Sequence, residues 1–116
     1  MMAHLLYYYP ICISAIGVAI HFFGMLGLFQ LEVPRILHVI MFVLDLAVVI
    51  GLLRKWSWGY WLAILLYVQQ SIMQPIWAYN AYQQGLGLFQ LLVTSPLVIS
   101  ALFILIFNKN LYIKHE

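Results

Sequence analysis

Charge is what this sequence has least of: three acidic and five basic residues among 116, or 7% charged against 66% hydrophobic. Soluble globular domains carry about 25% charged residues, so a soluble fold is excluded as a reading. A nucleic-acid surface, which needs clustered lysine and arginine, is excluded with it. Cysteine is nearly absent too. The single Cys12 cannot form an internal disulfide, and with no CxxC or Cys/His cluster there is neither a thiol redox pair nor a structural zinc site. Cys12 is expected to be a small buried packing residue. A Walker loop, GxGxxG, GxSxG and HExxH are all missing. No catalytic residue, metal or cofactor is therefore assigned. The segment before Arg35 holds no Lys or Arg, which argues against a cleaved signal peptide.

What is present is uninterrupted apolar sequence, with a mean hydropathy of +1.03. Apolar runs fall at about 6–31, 34–53, 57–82 and 86–107, each long enough for the roughly 20 helical residues that cross a hydrocarbon core. Their separators hold Glu32, Pro34 and Arg35, then Arg54, Lys55, Trp56 and Ser57, then Asn80, Gln83, Gln84 and Gly85. Connections this short make neighbouring helices antiparallel. The expected fold is an all-α integral membrane protein, a single four-transmembrane-helix antiparallel bundle.

Arg54 and Lys55 share a side with Lys109 and Lys114 in such a bundle, whereas the opposite side has only Arg35. The positive-inside bias puts both termini in the cytoplasm, in a plasma or inner membrane. Tyr7, Tyr8, Tyr9, Trp56, Trp58, Trp61 and Tyr112 are expected at the inner headgroup level, and Trp77, Tyr79 and Tyr82 at the outer one. Pro10 is expected near the start of the first span, where it costs little, while Pro75 and Pro96 interrupt spans three and four.

The pentapeptide GLFQL occurs at 27–31 and again at 87–91. A duplication of hairpins would carry span one onto span three, but this offset carries His21 onto Ala81 and Pro34 onto Thr94. The copies read as two similar boundary segments, with glycine allowing close packing.

Polar residues within spans are costly in lipid and normally face the bundle interior. Span one offers Ser14, Gly17, His21 and Gly24 on one narrow seam, and span two has His38, Met41 and Asp45 on one stripe. Counting inward at about 1.5 Å per residue, His21, Asp45, Gln69, Gln70, Thr94 and Ser95 form a mid-membrane polar layer. His38, Gln74 and Gln90 form a second layer nearer the outer surface. Ser14, Gly17, Gly24 and Gly87 are expected to pack helices together. His21 and His38 fall at different depths by this count, which argues against their ligating one haem.

Two functions compete. In the first, His21 and Asp45 pair with each other and with glutamine amides as interhelical glue, and the protein is a non-catalytic subunit or interaction partner in a membrane complex. In the second, Asp45 marks a proton, ion or ligand site. Asp45 and His21 then titrate as a coupled pair, Gln70 and Thr94 orient the bound species, and the protein is a small transporter or ligand-binding membrane protein working as a homodimer. The partners expected are the bilayer, a second copy or larger membrane subunits, and a small-molecule or lipid ligand. In length and short loops the chain is similar to small four-span transporters such as the small multidrug resistance family. That family's first-span glutamate has no counterpart here, where the first span holds His21 and the acid, Asp45, is in the second.

Overall fold

The computed structural model describes residues 2–27, 35–85 and 93–113, and the regular structure among them is all helical. Helix α1 is Met2–Met25, α2 Arg35–Leu53, α3 Ser57–Gln83 and α4 Ser95–Phe107, with a 3-10 turn at Lys109–Leu111. Consecutive helices pack side by side and α4 returns to pack on α1, which closes a ring. The Tyr112 hydroxyl donates to the Leu6 carbonyl, so the first and last described segments meet at one end. Helices α1 and α2 are long and apolar enough to cross a membrane.

Helix ends follow from local chemistry. α1 starts and stops earlier than the expected span because Gly27 takes φ 79° and its N–H closes on the Gly24 carbonyl at 3.0 Å, the left-handed closure that glycine permits. Gly85 ends α3 in the same way, with φ 80° and a 2.9 Å bond to the Tyr82 carbonyl. The structural counterpart of Gly27 is thus Gly85, not Gly87 of the second GLFQL. Gly87, Gln90 and the remainder of both copies lie outside the described residues. Between α2 and α3 the Trp56 N–H reaches Gly51 and the Lys55 N–H reaches Leu52, at 3.0 and 3.2 Å. This is a Schellman closure in which Lys55, at φ 55°, takes the place of the usual glycine.

That tight turn drives α2 and α3 together at Gly51 and Gly59. A Cβ on Gly51 would lie 2.6 Å from the Gly59 Cα, and one on Gly59 would lie 2.5 Å from the Gly51 Cα. The two backbones therefore touch, and neither position has room for a methyl group. The adjoining core holds Val48, Leu52, Tyr60, Ala63, Leu66, Ala101, Leu105 and Tyr112. Most of the remaining apolar side chains point outward, including Ile16, Ile36, Val43, Leu65 and Phe103.

The prolines sit differently from expectation. Pro10 is inside α1, not at its start. Having no N–H, it leaves the Leu6 carbonyl without its helical donor, and the Tyr112 hydroxyl fills the gap at 2.5 Å. Pro96 lies in the first turn of α4, just after a π-helical pair at 93–94, and the carbonyl four residues back that its missing N–H would meet lies outside the described residues. Pro75, within α3, breaks a helical ladder as expected. Cys12 is exposed, which overturns the buried-packing assignment, because its position on α1 turns away from the ring interior.

Candidate functional site

Helices α1 and α2 bring three titratable side chains into a string. His21 Nδ1 lies 3.0 Å from His38 Nδ1, and on the other side of its ring His21 Nε2 lies 3.8 Å from Asp45 Oδ2. His38 and Asp45 are seven residues apart on one stripe of α2, so a single histidine from α1 fits between them. The separate depths expected for His21 and His38 are therefore corrected: counting along straight helices ignored the length of the two side chains, which lean toward each other.

Missing side chains make the string possible. A Cβ at Gly24 would come within 2.8 to 2.9 Å of the His38 ring, and one at Gly17 would come within 2.8 Å of Asp45 Oδ2. Both glycines are seats for the facing polar groups, which makes specific the packing role expected of them.

Protonation is shared along the string. Two Nδ1 atoms in hydrogen-bond contact need one proton between them. If His38 donates it, neutral His21 carries its own proton on Nε2, facing the Asp45 carboxylate. If His21 donates, an ionised Asp45 requires His21 to be doubly protonated. The protonation of Asp45 and the tautomers of His21 and His38 are therefore coupled. Because the two His21 nitrogens face opposite ways, the three groups cannot converge on one ion. Among the described residues no group of three His, Cys, Asp or Glu is placed to hold a metal.

Asp45 accepts no hydrogen bond among the described residues, and 15% of its side chain is accessible. The glutamines expected to pair with it bond one another instead. Gln70 donates to Gln69 at 2.7 Å and Gln74 donates to Gln70 at 2.8 Å, a ladder that joins the two polar layers drawn from the sequence. His21, Gln69 and Gln70 line a groove of about 240 Å³ whose other walls are Leu37, Met41, Met73 and Trp77. Among the described residues the Ser71 and Ser95 hydroxyls and Gln74 Oε1 are buried without a partner. Among the described residues no hydrogen bond links Thr94 or Ser95 to His21 or Asp45.

Below Gly17 the α1 seam continues. Ser14 is hydrogen-bonded to the Tyr67 hydroxyl at 2.8 Å, and Tyr67 donates to the Pro10 carbonyl at 2.8 Å. Tyr67 has one proton to give, so Ser14 is the donor to Tyr67. One turn further, the Tyr7 hydroxyl donates to Leu52 at 2.7 Å, and its ring stacks on Tyr112, which stacks on Tyr60. Tyr60 donates to Leu105 at 2.8 Å. Tyr112, expected at a headgroup boundary, is fully buried. Burial, then the neighbouring Tyr7 and Tyr60, push its hydroxyl above the usual tyrosine range. The sequence reading missed Tyr67 and the inward turn of Tyr7 and Tyr112. One signal was present: Pro10 orphans the Leu6 carbonyl, and an orphaned carbonyl in an apolar setting calls for a side-chain donor.

Comparison of the chain with protein-family models, with curated proteins and with solved structures finds no match in any of the three.

Proposed function

We propose that this chain is an integral membrane protein, a four-span bundle with both termini on the cytoplasmic side, and that it binds or carries a small ligand together with a proton at the His38–His21–Asp45 string. A helix that is apolar all round must be covered by a large core or by lipid, and α1 and α2 leave Ile16, Ile20, Ile36, Ile40, Val43 and Ile50 exposed. The long axis of 50 Å is enough for a bilayer of about 40–45 Å with its headgroups. Arg54, Lys55 and Lys109 gather at the end where Tyr112 meets Leu6, lying over the rings of Trp56, Tyr7 and Trp61, and this supports the cytoplasmic assignment of that end.

The observation that carries the reading is Asp45, whose carboxylate accepts no hydrogen bond among the described residues and has His21 Nε2, at 3.8 Å, as its charge partner. Interhelical glue requires its carboxylate to be hydrogen-bonded, since an unpartnered charge in lipid is costly, yet the glutamines bond one another and His21 turns its short contact to His38. A partly accessible carboxylate beside a histidine that opens onto a groove is arranged for exchange with something from outside. The test is histidine 15N NMR on the protein in lipid nanodiscs between about pH 5 and 8. Asp45→Asn should change the tautomer of His21 and His38 and the pH at which His21 protonates. Identical titrations in the two proteins would sink the proton-site reading.

A second reading, a non-catalytic membrane subunit, is favoured by one observation. Gln69, at mid-length in α3, is exposed, and an exposed amide at that depth calls for a covering partner.

A further inference from the structure

α3 carries one continuous outward stripe: Trp61, Leu65, Gln69, Ile72, Ile76 and Tyr79, spaced four, four, three, four and three residues apart, and all six are exposed. This spacing keeps them on one helical face, the pattern of a seam between paired helices. α2 and α4 cover the flanks of α3 and leave this face open. Five of the six residues suit lipid as well as protein. Gln69 does not.

Gln69 stands 12 residues from the start of α3 and 14 from its end, about 18 and 21 Å at a rise of roughly 1.5 Å per residue. In the membrane reading, on which this inference rests, neither headgroups nor bulk water reach that depth. Its Oε1 accepts from Gln70, which leaves both N–H donors and one lone pair unused among the described residues. A lipid chain has nothing to offer these groups.

We propose that a second copy of this chain covers the stripe, α3 against α3 about a two-fold axis at Gln69. A primary amide carries donor and acceptor together, so it is complementary to itself. One Nε2–H of each amide donates to Oε1 of Gln69 of the partner subunit, and each Oε1, already bonded to Gln70, takes this second bond with no further polar residue required. The symmetry explains how one glutamine can be enough in an otherwise apolar stripe. Because Gln69 also lines the groove beside His21, the second copy lies at the margin of the proposed ligand site.

The test is disulfide trapping in native membranes. The wild type, whose single Cys12 faces outward from α1, is the control. In a Cys12→Ser background, Leu65→Cys and Ile72→Cys should each give a cross-linked homodimer on mild oxidation, and the wild type should give none. Gln69→Leu, with helicity checked by circular dichroism, should weaken self-association about tenfold, the effect of two reciprocal bonds at roughly 0.6 kcal/mol each. No cross-link at positions 65 and 72, cross-linking to a different protein, or unchanged association in Gln69→Leu overturns the dimer. A monomer in which Asp45→Asn still shifts the histidine titration overturns the dimer alone. A chain that does not partition into membranes overturns this inference and the membrane reading together.

Discussion

Gly24→Ala is the most direct probe of the string, because the added methyl has nowhere to go. It would lie 2.8 Å from His38 Cε1 and Nδ1 and 2.9 Å from Cγ, where carbon contacts normally settle at about 3.5–4.0 Å. The ring must retreat by about 0.7 Å, yet His38 is only 2% exposed. A retreat of that size stretches the 3.0 Å contact to His21 beyond useful hydrogen-bond length, about 3.5 Å. Overpacking costs about 1–3 kcal/mol and the lost hydrogen bond about 1 kcal/mol, while alanine returns about 1 kcal/mol of helix propensity. The net loss is about 1–3 kcal/mol. Gly17→Ala meets a softer neighbour, the tip of the Asp45 carboxylate at 2.8 Å, which can rotate aside. Its cost should roughly cancel the helix gain of about 1 kcal/mol. Thermal unfolding of both variants in mild detergent, followed by circular dichroism, reads the difference. The account is refuted if Gly24→Ala is as stable as Gly17→Ala and its His38 15N shifts match those of the wild type.

Two further substitutions test the opposite end. Tyr112→Phe keeps both ring stacks but removes the donor to the Leu6 carbonyl, and should destabilise the bundle by about 1–2 kcal/mol. Adding Pro10→Ala should recover much of that loss by restoring the helical N–H, so a double-mutant cycle with simple additivity would show that the hydroxyl and the proline are unconnected. Since folding raises the Tyr112 hydroxyl above its ordinary value, its contribution is complete below pH about 10 and should fade as pH rises further, in the wild type but not in the phenylalanine variant. Gly51→Ala, which forces apart backbones that touch at Gly59, should cost about 2 kcal/mol or more; chemical denaturation at wild-type stability would disprove that contact.

Helix number and order, the α1 seam and the stripe on α2 were legible in the sequence, since each rests on spacing that a regular helix preserves. The pairing along the string was less so. Depth counting placed His21 and Asp45 together and set His38 apart, because it fixes Cα height and says nothing of where a ring several ångströms long ends up. The glutamines were drawn toward Asp45 on grounds of polarity alone, whereas Gln70 and Gln74, one turn apart on a single helix, satisfy each other more cheaply than across a gap. Cys12 followed the habit of thiols in soluble cores and failed, since outward faces here are apolar too. Pro10 was misjudged through the helix start, which lies at Met2 and not near Leu6.

The seam of α1 runs Tyr7, Pro10, Ser14, Gly17, His21, Gly24, alternating steps of three and four along its whole length. Such a sequence nearly repeats itself every seven residues: Gly17 could exchange places with Gly24, and Ser14 with His21, if the helix slid along its axis by about 10 Å. Small and polar groups would still meet small and polar partners. What resists that slip is a set of side-chain bonds that do not repeat: Tyr7 to Leu52, Ser14 and Tyr67 with Pro10, and Tyr112 on the Leu6 carbonyl that Pro10 frees. The hydroxyl of a residue beyond α4 thus helps to index α1, whose position along the bundle depends on a contact spanning 106 residues of sequence.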